Sequence, residues 1–269
     1  MNEIKSKAEL LIGISAIVIA KNEEDKIGEC LESLLFCDEI ILVDSGSTDS
    51  TIKIAQSHNA KVIKYTNGSF SQWRNEGLKN VKNEWVLYLD ADERVTPLLK
   101  NEIIQLIKNS NEKYSAYAIP RRNIILGKEM KHGGWWPDYV KRLYIKNSLK
   151  KWTGDLHEEP VFEGNLGHLK NPMVHIKHND LSEMVDKTNK WSEVEARLLY
   201  KSNHPDMSWW RFFRVMAGEL WLRLFKLRGF LDGVEGIIYA IYQSWSKFLT
   251  YAKLWEMQIE SKKLNNKKQ

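Results

Sequence analysis

Three short apolar runs set the terms for any fold of this chain. They are ISAIVIA at residues 14–20, EIILV at 39–43 and WVLYL at 85–89. Each is too short for a buried helix and reads as a strand covered on both faces. The segments between them repeat apolar residues at helical spacing, as Ile27, Leu31, Leu34 and Leu35 do within 25–36. Further helices are expected over 50–59, 70–82 and 97–109, with a short strand at 61–65. Pro97 stands where a first-turn proline is favoured. The resulting β-α-β-α order predicts an α/β fold, a mostly parallel sheet with helices on both faces. Residues 115–178 lose this rhythm and read as an α+β completion of the same domain, while the pattern from Leu181 onward is helical. The expected division is 1–180 for the α/β domain and 181–269 for an amphipathic helical region.

Two of the strands run into acidic clusters, Asp44 to Asp49 and Asp90-Ala91-Asp92-Glu93. Open α/β sheets bind ligands at the carboxyl ends of their strands. There is no GxGxxG after the first strand and no GxxxxGK[ST], so dinucleotide and P-loop chemistry lack their phosphate-cradling glycines. Carboxylates at these positions suit other tasks. They accept hydrogen bonds from a base or a ribose, or hold a hard cation that bridges a diphosphate. Either cluster alone is equally well a turn residue and a helix cap. Two clusters at neighbouring strand ends are much more specific.

The run Ile17-Val18-Ile19-Ala20-Lys21-Asn22-Glu23, followed by VDSGSTDST, WRNEGL and WVLYLDADE, resembles the family 2 glycosyltransferases of the GT-A fold. The resemblance covers roughly the first two thirds of the chain. The later segments RLYIKN, TGDLHEEP and GFLDGVEGIIYA are similar to the bacterial lipopolysaccharide-core β-glucosyltransferase branch. The resemblance implies an inverting transfer of a hexose from a nucleoside-diphosphate sugar, a UDP-sugar favoured, with Mg²⁺ or Mn²⁺ as cofactor. It implies a nucleotide-sugar site that includes Ala20, Asn22, Glu23, Asp44, Arg74, Asn75, Asp90 and Ala91, with Asp90 at the ribose and Asp92 on the metal. The family commonly has two aspartates where this chain has Asp44-Ser45.

Glycosyl transfer needs a carboxylate beside the acceptor hydroxyl. The resemblance favours Glu158 as this base, with Asp155 second and His157 beside the acceptor. A late histidine reaches the metal in some enzymes of this fold, which points to His175, although a lone histidine is more often a core residue. Arg121, Arg122 and Arg142 are candidates to pair with the diphosphate, Arg142 foremost. Trp135, Trp136 and Asp138 lie in a glycine-rich loop and read either as an acceptor platform or as ordinary packing.

The tail of the chain limits the partners. Six of the eleven tryptophans lie from Trp191 onward, among Arg and Lys. Trp209, Phe213, Met216, Leu220, Leu224 and Leu227 recur at helical spacing, while Arg211, Arg214, Arg223, Lys226 and Arg228 face a single Glu219. That stripe is expected either to pack on protein or to lie on a membrane surface. The net charge of +5 does not call for nucleic acid. Two cysteines and the absence of a signal peptide or an apolar 18-residue run predict a cytoplasmic enzyme, and the amphipathic stripe with the glycolipid acceptor that the resemblance implies makes it an expected peripheral protein of the inner membrane. The acceptor expected is a lipid-linked saccharide such as lipopolysaccharide core, on the inner-leaflet surface. A protein or peptide acceptor, or a catalytically silent nucleotide-sugar-binding scaffold, is the alternative.

Overall fold

The computed structural model describes residues 13–109, 113–154 and 158–266. The apolar runs form the strands expected of them. In chain order the first elements are β1 (Ile14–Ala20), α1 (Glu24–Glu32), β2 (Glu39–Asp44), α2 (Thr51–Ser57), β3 (Lys61–Lys64), α3 (Phe70–Lys79), β4 (Trp85–Asp90), β5 (Glu93–Arg94) and α4 (Pro97–Lys108). Then come β6 (Ala116–Ile125), β7 (Lys128–Met130), β8 (Asp138–Ile145), β9 (Leu149–Thr153), β10 (Glu159–Phe162), β11 (Leu166–His168) and β12 (Met173–His178). The chain finishes with α5 (Leu181–Lys201), α6 (Trp209–Trp221) and α7 (Gly233–Asn266).

Two compact units result, 1–122 with 138–175, and 123–137 with 176–269. The linear cut at residue 180 read from the sequence differs from this, because a β-hairpin and loop from the middle of the chain cluster with the C-terminal helices. No hydrophobic period marks residues 123–137 as belonging there.

In the first unit β3, β2, β1 and β4 are parallel neighbours, and β8 then β6 continue the sheet antiparallel. All seven residues of β1 are buried, and they divide by the two-residue period of a strand. Ile14, Ala16, Val18 and Ala20 enter one apolar cluster with Ile27 and Leu31 of α1 and Leu99 and Ile103 of α4. Ile17 enters the opposite cluster with Ile41, Val43, Tyr88 and Trp152. Burial on both faces explains why these runs do not alternate with polar residues. β3 closes the edge and is only half-buried, with Lys61 and Lys64 exposed at its ends, a usual guard against further strand pairing. Gly77 lets α3 lie directly on the sheet, since a Cβ there would sit 2.6 Å from Ile17 Cγ2. Thr96 caps α4, accepting from Leu99 N at 3.2 Å ahead of Pro97.

The second unit packs α5 and α6 against α7. Ile125, Met130, Trp135, Met184, Tyr239 and Tyr242 form its main core. Buried Asp232 fastens the loop 131–137 by accepting from the backbone of Lys131 at 3.1 Å and of His132 at 2.7 Å. Gly236 is required by close approach, since a Cβ would fall 2.0 Å from Gly229 O. A mostly parallel sheet flanked by helices, followed by a C-terminal helical region, is the fold class expected.

Candidate active site

The carboxyl ends of β1, β2 and β4 carry the residues singled out from the sequence. The loops after β1 and β2 are joined by hydrogen bonds. Asn22 takes the left-handed conformation, φ 54°, and accepts from Thr48 N at 2.8 Å while its own N–H reaches Ser47 Oγ at 3.0 Å. Glu23 N donates to Thr51 Oγ1 at 2.9 Å, and Ser45 N to Ala20 O at 3.0 Å. Asp44 is buried and accepts from the backbone of Gly46 and Ser47, both within 3.2 Å. Its carboxylate therefore holds the turn, the bland alternative for that residue, whether or not a base also approaches. Asp49, one residue ahead of the N-cap Ser50 of α2, accepts from Thr51 N and Oγ1.

The second cluster meets three arginines. Arg74 leaves α3 almost fully buried, its guanidinium 4.8 Å from the centre of the Trp152 ring. Its Nη2 is 2.9 Å from Asp90 Oδ1 and 2.9 Å from Glu158 Oε1, and its Nε also reaches Glu158, at 3.1 Å. Arg142, on β8, pairs with Asp90 Oδ2 and, at 2.7 Å, with Glu93 Oε1. Glu93 is fully buried and further bonds Arg121 at 3.2 Å and the backbone N–H of Asp90 at 3.0 Å. Arg121 and Asp138 lie opposite each other on β6 and β8 and join at 2.8 Å. Burial by itself would raise the pKa of Asp90, but the guanidiniums of Arg142 and Arg74 hold it far below the usual carboxylate range. Burial pushes the thiol of Cys30, behind this cluster, far up, so it stays protonated and inert.

Asn75, next to Arg74, holds the backbone of Trp152 from both sides, donating to its O at 2.9 Å and accepting from its N at 2.8 Å. Trp152 lies on β9, whose hairpin partner β10 begins directly after Glu158. Consecutive residues of one helix thus fix the hairpin and the carboxylate that it carries. Both side-chain groups of Asn75 are engaged in this way.

Pairing of β5 with β12 sets His175 opposite Glu93 and brings it to Asp92, Nε2 to Oδ2 at 3.5 Å. A carboxylate oxygen and an imidazole nitrogen this close suit Mn²⁺ or Mg²⁺ as a partial ligand set. Among the described residues no three His, Cys, Asp or Glu side chains form a cage, so most ligands of such an ion would have to come from a bound diphosphate and water. The chemistry fits, because Asp90, Asp92, Glu93, Asp138 and Glu158 outnumber the three arginines.

Asp90, Arg121, Tyr139, Arg142, Trp152 and Glu158 line a cavity of about 420 Å³. A cleft of about 440 Å³ opens at the other ends of β2 and β3, between His58, Lys61 and Lys82. Ligands of open α/β sheets enter at the carboxyl ends, which favours the first. Trp135 and Trp136 fall in the second unit, where the Trp135 ring is packed 5.2 Å from that of Tyr239 and Trp136 is 45% exposed. Asp155 and His157 lie outside the described residues. Glu93, the buried centre of the network, was not singled out from the sequence; its only signal is its place at the end of the acidic cluster.

An uncharacterized glycosyltransferase of Rickettsia conorii is 29% identical, the alignment covering 93% of this chain and 92% of the relative. The lipopolysaccharide core biosynthesis glycosyltransferase LpsC of Rhizobium meliloti is 28% identical over 90% of this chain and 92% of its own length. Among solved structures, glucosyl-3-phosphoglycerate synthase from Mycobacterium tuberculosis, crystallised with Mn²⁺, UDP and phosphoglyceric acid, is 18% identical with a TM-score of 0.47, over 72% of this chain and 79% of that one. The model of glycosyl transferase family 2 matches residues 15–160, the span that holds the acidic strand ends, Arg74 and Glu158, and the chain belongs to that family.

Proposed function

We propose that this glycosyltransferase is an inverting hexosyltransferase that uses a UDP-sugar and a divalent cation and acts on a lipid-linked saccharide such as lipopolysaccharide core. The observation that carries the reading is one guanidinium shared between two carboxylates at one cavity. Arg74 Nη2 is 2.9 Å from Asp90 and 2.9 Å from Glu158. Asp90, at the strand end, accepts the ribose hydroxyls. Ala20, Asn22, Glu23, Asp44 and Ala91 border the nucleotide, and Asn75 acts through the hairpin it fastens. Glu158 is the base. The acceptor oxygen attacks the anomeric carbon as the bond to the diphosphate breaks, the electron pair leaves with UDP, and the acceptor proton passes to Glu158. No protein nucleophile is needed, which is the inverting route. Asp92 and His175 would hold the cation, which when bound supplies positive charge to the leaving diphosphate. Arg121 and Arg142, fixed by Glu93, add positive charge beside it. Asp138 is assigned to the acceptor.

The lipopolysaccharide-core relative supports the acceptor class. Such an acceptor places the enzyme at the cytoplasmic face of the inner membrane as a peripheral protein. Among the described residues no helix is long and apolar enough to cross a membrane.

Calorimetric titration with UDP, and with GDP beside it, tests the donor site with and without Mn²⁺. Tight UDP binding that requires both Mn²⁺ and Asp92, lost in Asp92→Asn, is the expected result. Binding of neither nucleotide would overturn the reading. With a donor in hand, Glu158→Gln should keep UDP affinity and lose transfer; near-normal transfer would remove Glu158 as the base.

A further inference from the structure

From the solvent face of α6 we infer a docking surface for an anionic lipid bilayer, built from an aromatic stripe distinct from the stripe that packs the helix. The packing side is Phe212, Met216 and Leu220, all half-buried. The ring of Phe212 is 5.8 Å from that of Phe248 on α7, and the Met216 carbonyl accepts from Ser244 Oγ at 2.9 Å. A different set recurs every four residues on the exposed side of α6 and of the helical turn Leu222–Lys226 that continues it. Trp209, Phe213, Trp221 and Phe225 are 83%, 73%, 58% and 57% exposed, with small Ala217 between them. Exposed Phe230, Leu231 and Val234 follow in the chain. Folding of the unit does not account for aromatic surface on this scale, and a run of this kind marks an interaction site.

The charges choose the occupant. Arg211 and Arg214 lie 5.1 and 5.6 Å from the Trp210 ring. Among the described residues, no carboxylate pairs with Arg211, Arg214, Lys226 or Arg228. Glu219, the single acid between residues 208 and 231, is already bound to Arg223 at 2.8 Å. A second copy of this chain would bring the same cations face to face in a two-fold contact, which opposes self-association. An anionic lipid surface complements them, and aromatics beside arginine and lysine are the composition of a helix lying in the headgroup plane. Since α6 is too short and too charged to span, it lies on the surface rather than across it.

The inference rests on the lipid-linked acceptor proposed above, but its test needs neither acceptor nor donor. The full chain is sedimented with vesicles of phosphatidylcholine alone or with about one third phosphatidylglycerol. Tryptophan quenching by brominated acyl chains is read in parallel. Wild type should bind the anionic vesicles and be quenched. Trp209→Ser/Phe213→Ser/Phe225→Ser should weaken binding by about a hundredfold. Arg214→Gln/Lys226→Gln should weaken it more than about tenfold, at about fivefold or more per cation. Both variants should bind UDP with Mn²⁺ as wild type does, which separates a failure here from a failure of the donor site. Equal binding to neutral and anionic vesicles would overturn the inference. So would a triple variant that binds like wild type, or wild-type self-association that the triple variant abolishes.

Discussion

The two units handle charge and aromatic surface in opposite ways. In the first, Arg74, Arg142 and Glu93 are buried and each meets an opposite charge, and Trp152 lies beneath a guanidinium. In the second, Trp209 and Phe213 stand in solvent and Arg214 and Lys226 have no carboxylate partner among the described residues. Burial explains the difference. A charge inside must be compensated, so its geometry becomes fixed, and fixed carboxylates and guanidiniums are what a reacting diphosphate sugar requires. Exposed cations and rings need no internal partner and remain available to an external one. The comparison predicts large stability effects from single changes in the first unit and almost none on the exposed face of α6.

The largest is expected at Glu93. Replacing it by Gln leaves Arg142 without one of its two carboxylates and Arg121 with only Asp138. Breaking a buried network of this kind costs about 3–5 kcal/mol. Urea denaturation of Glu93→Gln measures it, and a loss under about 1 kcal/mol would mean that the network is not the rigid element described here.

Asn75 comes next. Asn75→Ala removes both hydrogen bonds to the Trp152 backbone and leaves those groups facing a small side chain. A loss of about 2 kcal/mol is expected. If Asn75 served a bound nucleotide instead of the hairpin, the variant would keep its stability and lose only UDP affinity. The two measurements together decide between these roles.

These two residues also mark where the sequence stops being readable. β1, β2 and β4 were evident because a strand covered on both faces is a continuous apolar run, and the helices because their apolar residues keep the helical period. Asp90 stood out because acids at strand ends are conspicuous, and Glu158 through the family resemblance of its segment. Glu93 did not, since the two-residue β5 leaves no periodic trace and its partners Arg121 and Arg142 are 28 and 49 residues away. Asn75 was associated with the nucleotide through its neighbour Arg74, but its contact is with backbone 77 residues distant, where no side-chain pattern points to it. On α6 a single apolar period was visible, joining Trp209 and Phe213 to Met216 and Leu220. The fold separates them into an exposed set and a packing set, because α7 covers only one side. Residues 123–137 joined the C-terminal helices through Asp232 and the Trp135–Tyr239 contact, and tertiary partners of this kind have no local signature.

A smaller effect tests the loops rather than the network. Asp49 accepts from Thr51 N, Thr51 Oγ1 and Glu24 N. Its slight burial would raise its pKa, and these hydrogen bonds lower it below the ordinary value. A carboxylate depressed in the folded state stabilises above its unfolded pKa and loses that contribution as pH falls through the folded value. Asp49→Ala should cost about 1 kcal/mol at neutral pH, the usual net worth of lost side-chain hydrogen bonds. The difference from wild type should stay constant down to about pH 4, the unfolded carboxylate value, and shrink below it. A difference that persisted undiminished in acid would show that Asp49 acts by shape and not by charge.

The smallest effect is the most discriminating for the second unit. Trp209→Ser and Phe213→Ser remove large rings that are 83% and 73% exposed. If those rings are held in reserve for a lipid surface, thermal and urea unfolding should change by no more than about 0.5 kcal/mol, the range for surface substitutions. Solubility should rise at the same time, because the apolar patch shrinks. The paired control is Phe212→Ser on the same helix, whose ring meets Phe248 and whose loss should cost about 2 kcal/mol or more. Equal losses on the two sides of α6 would mean that both stripes pack within the protein. Unequal losses would leave the exposed stripe without an internal purpose, and its aromatic residues, with cations that have no carboxylate partner among the described residues, then require a partner outside the chain.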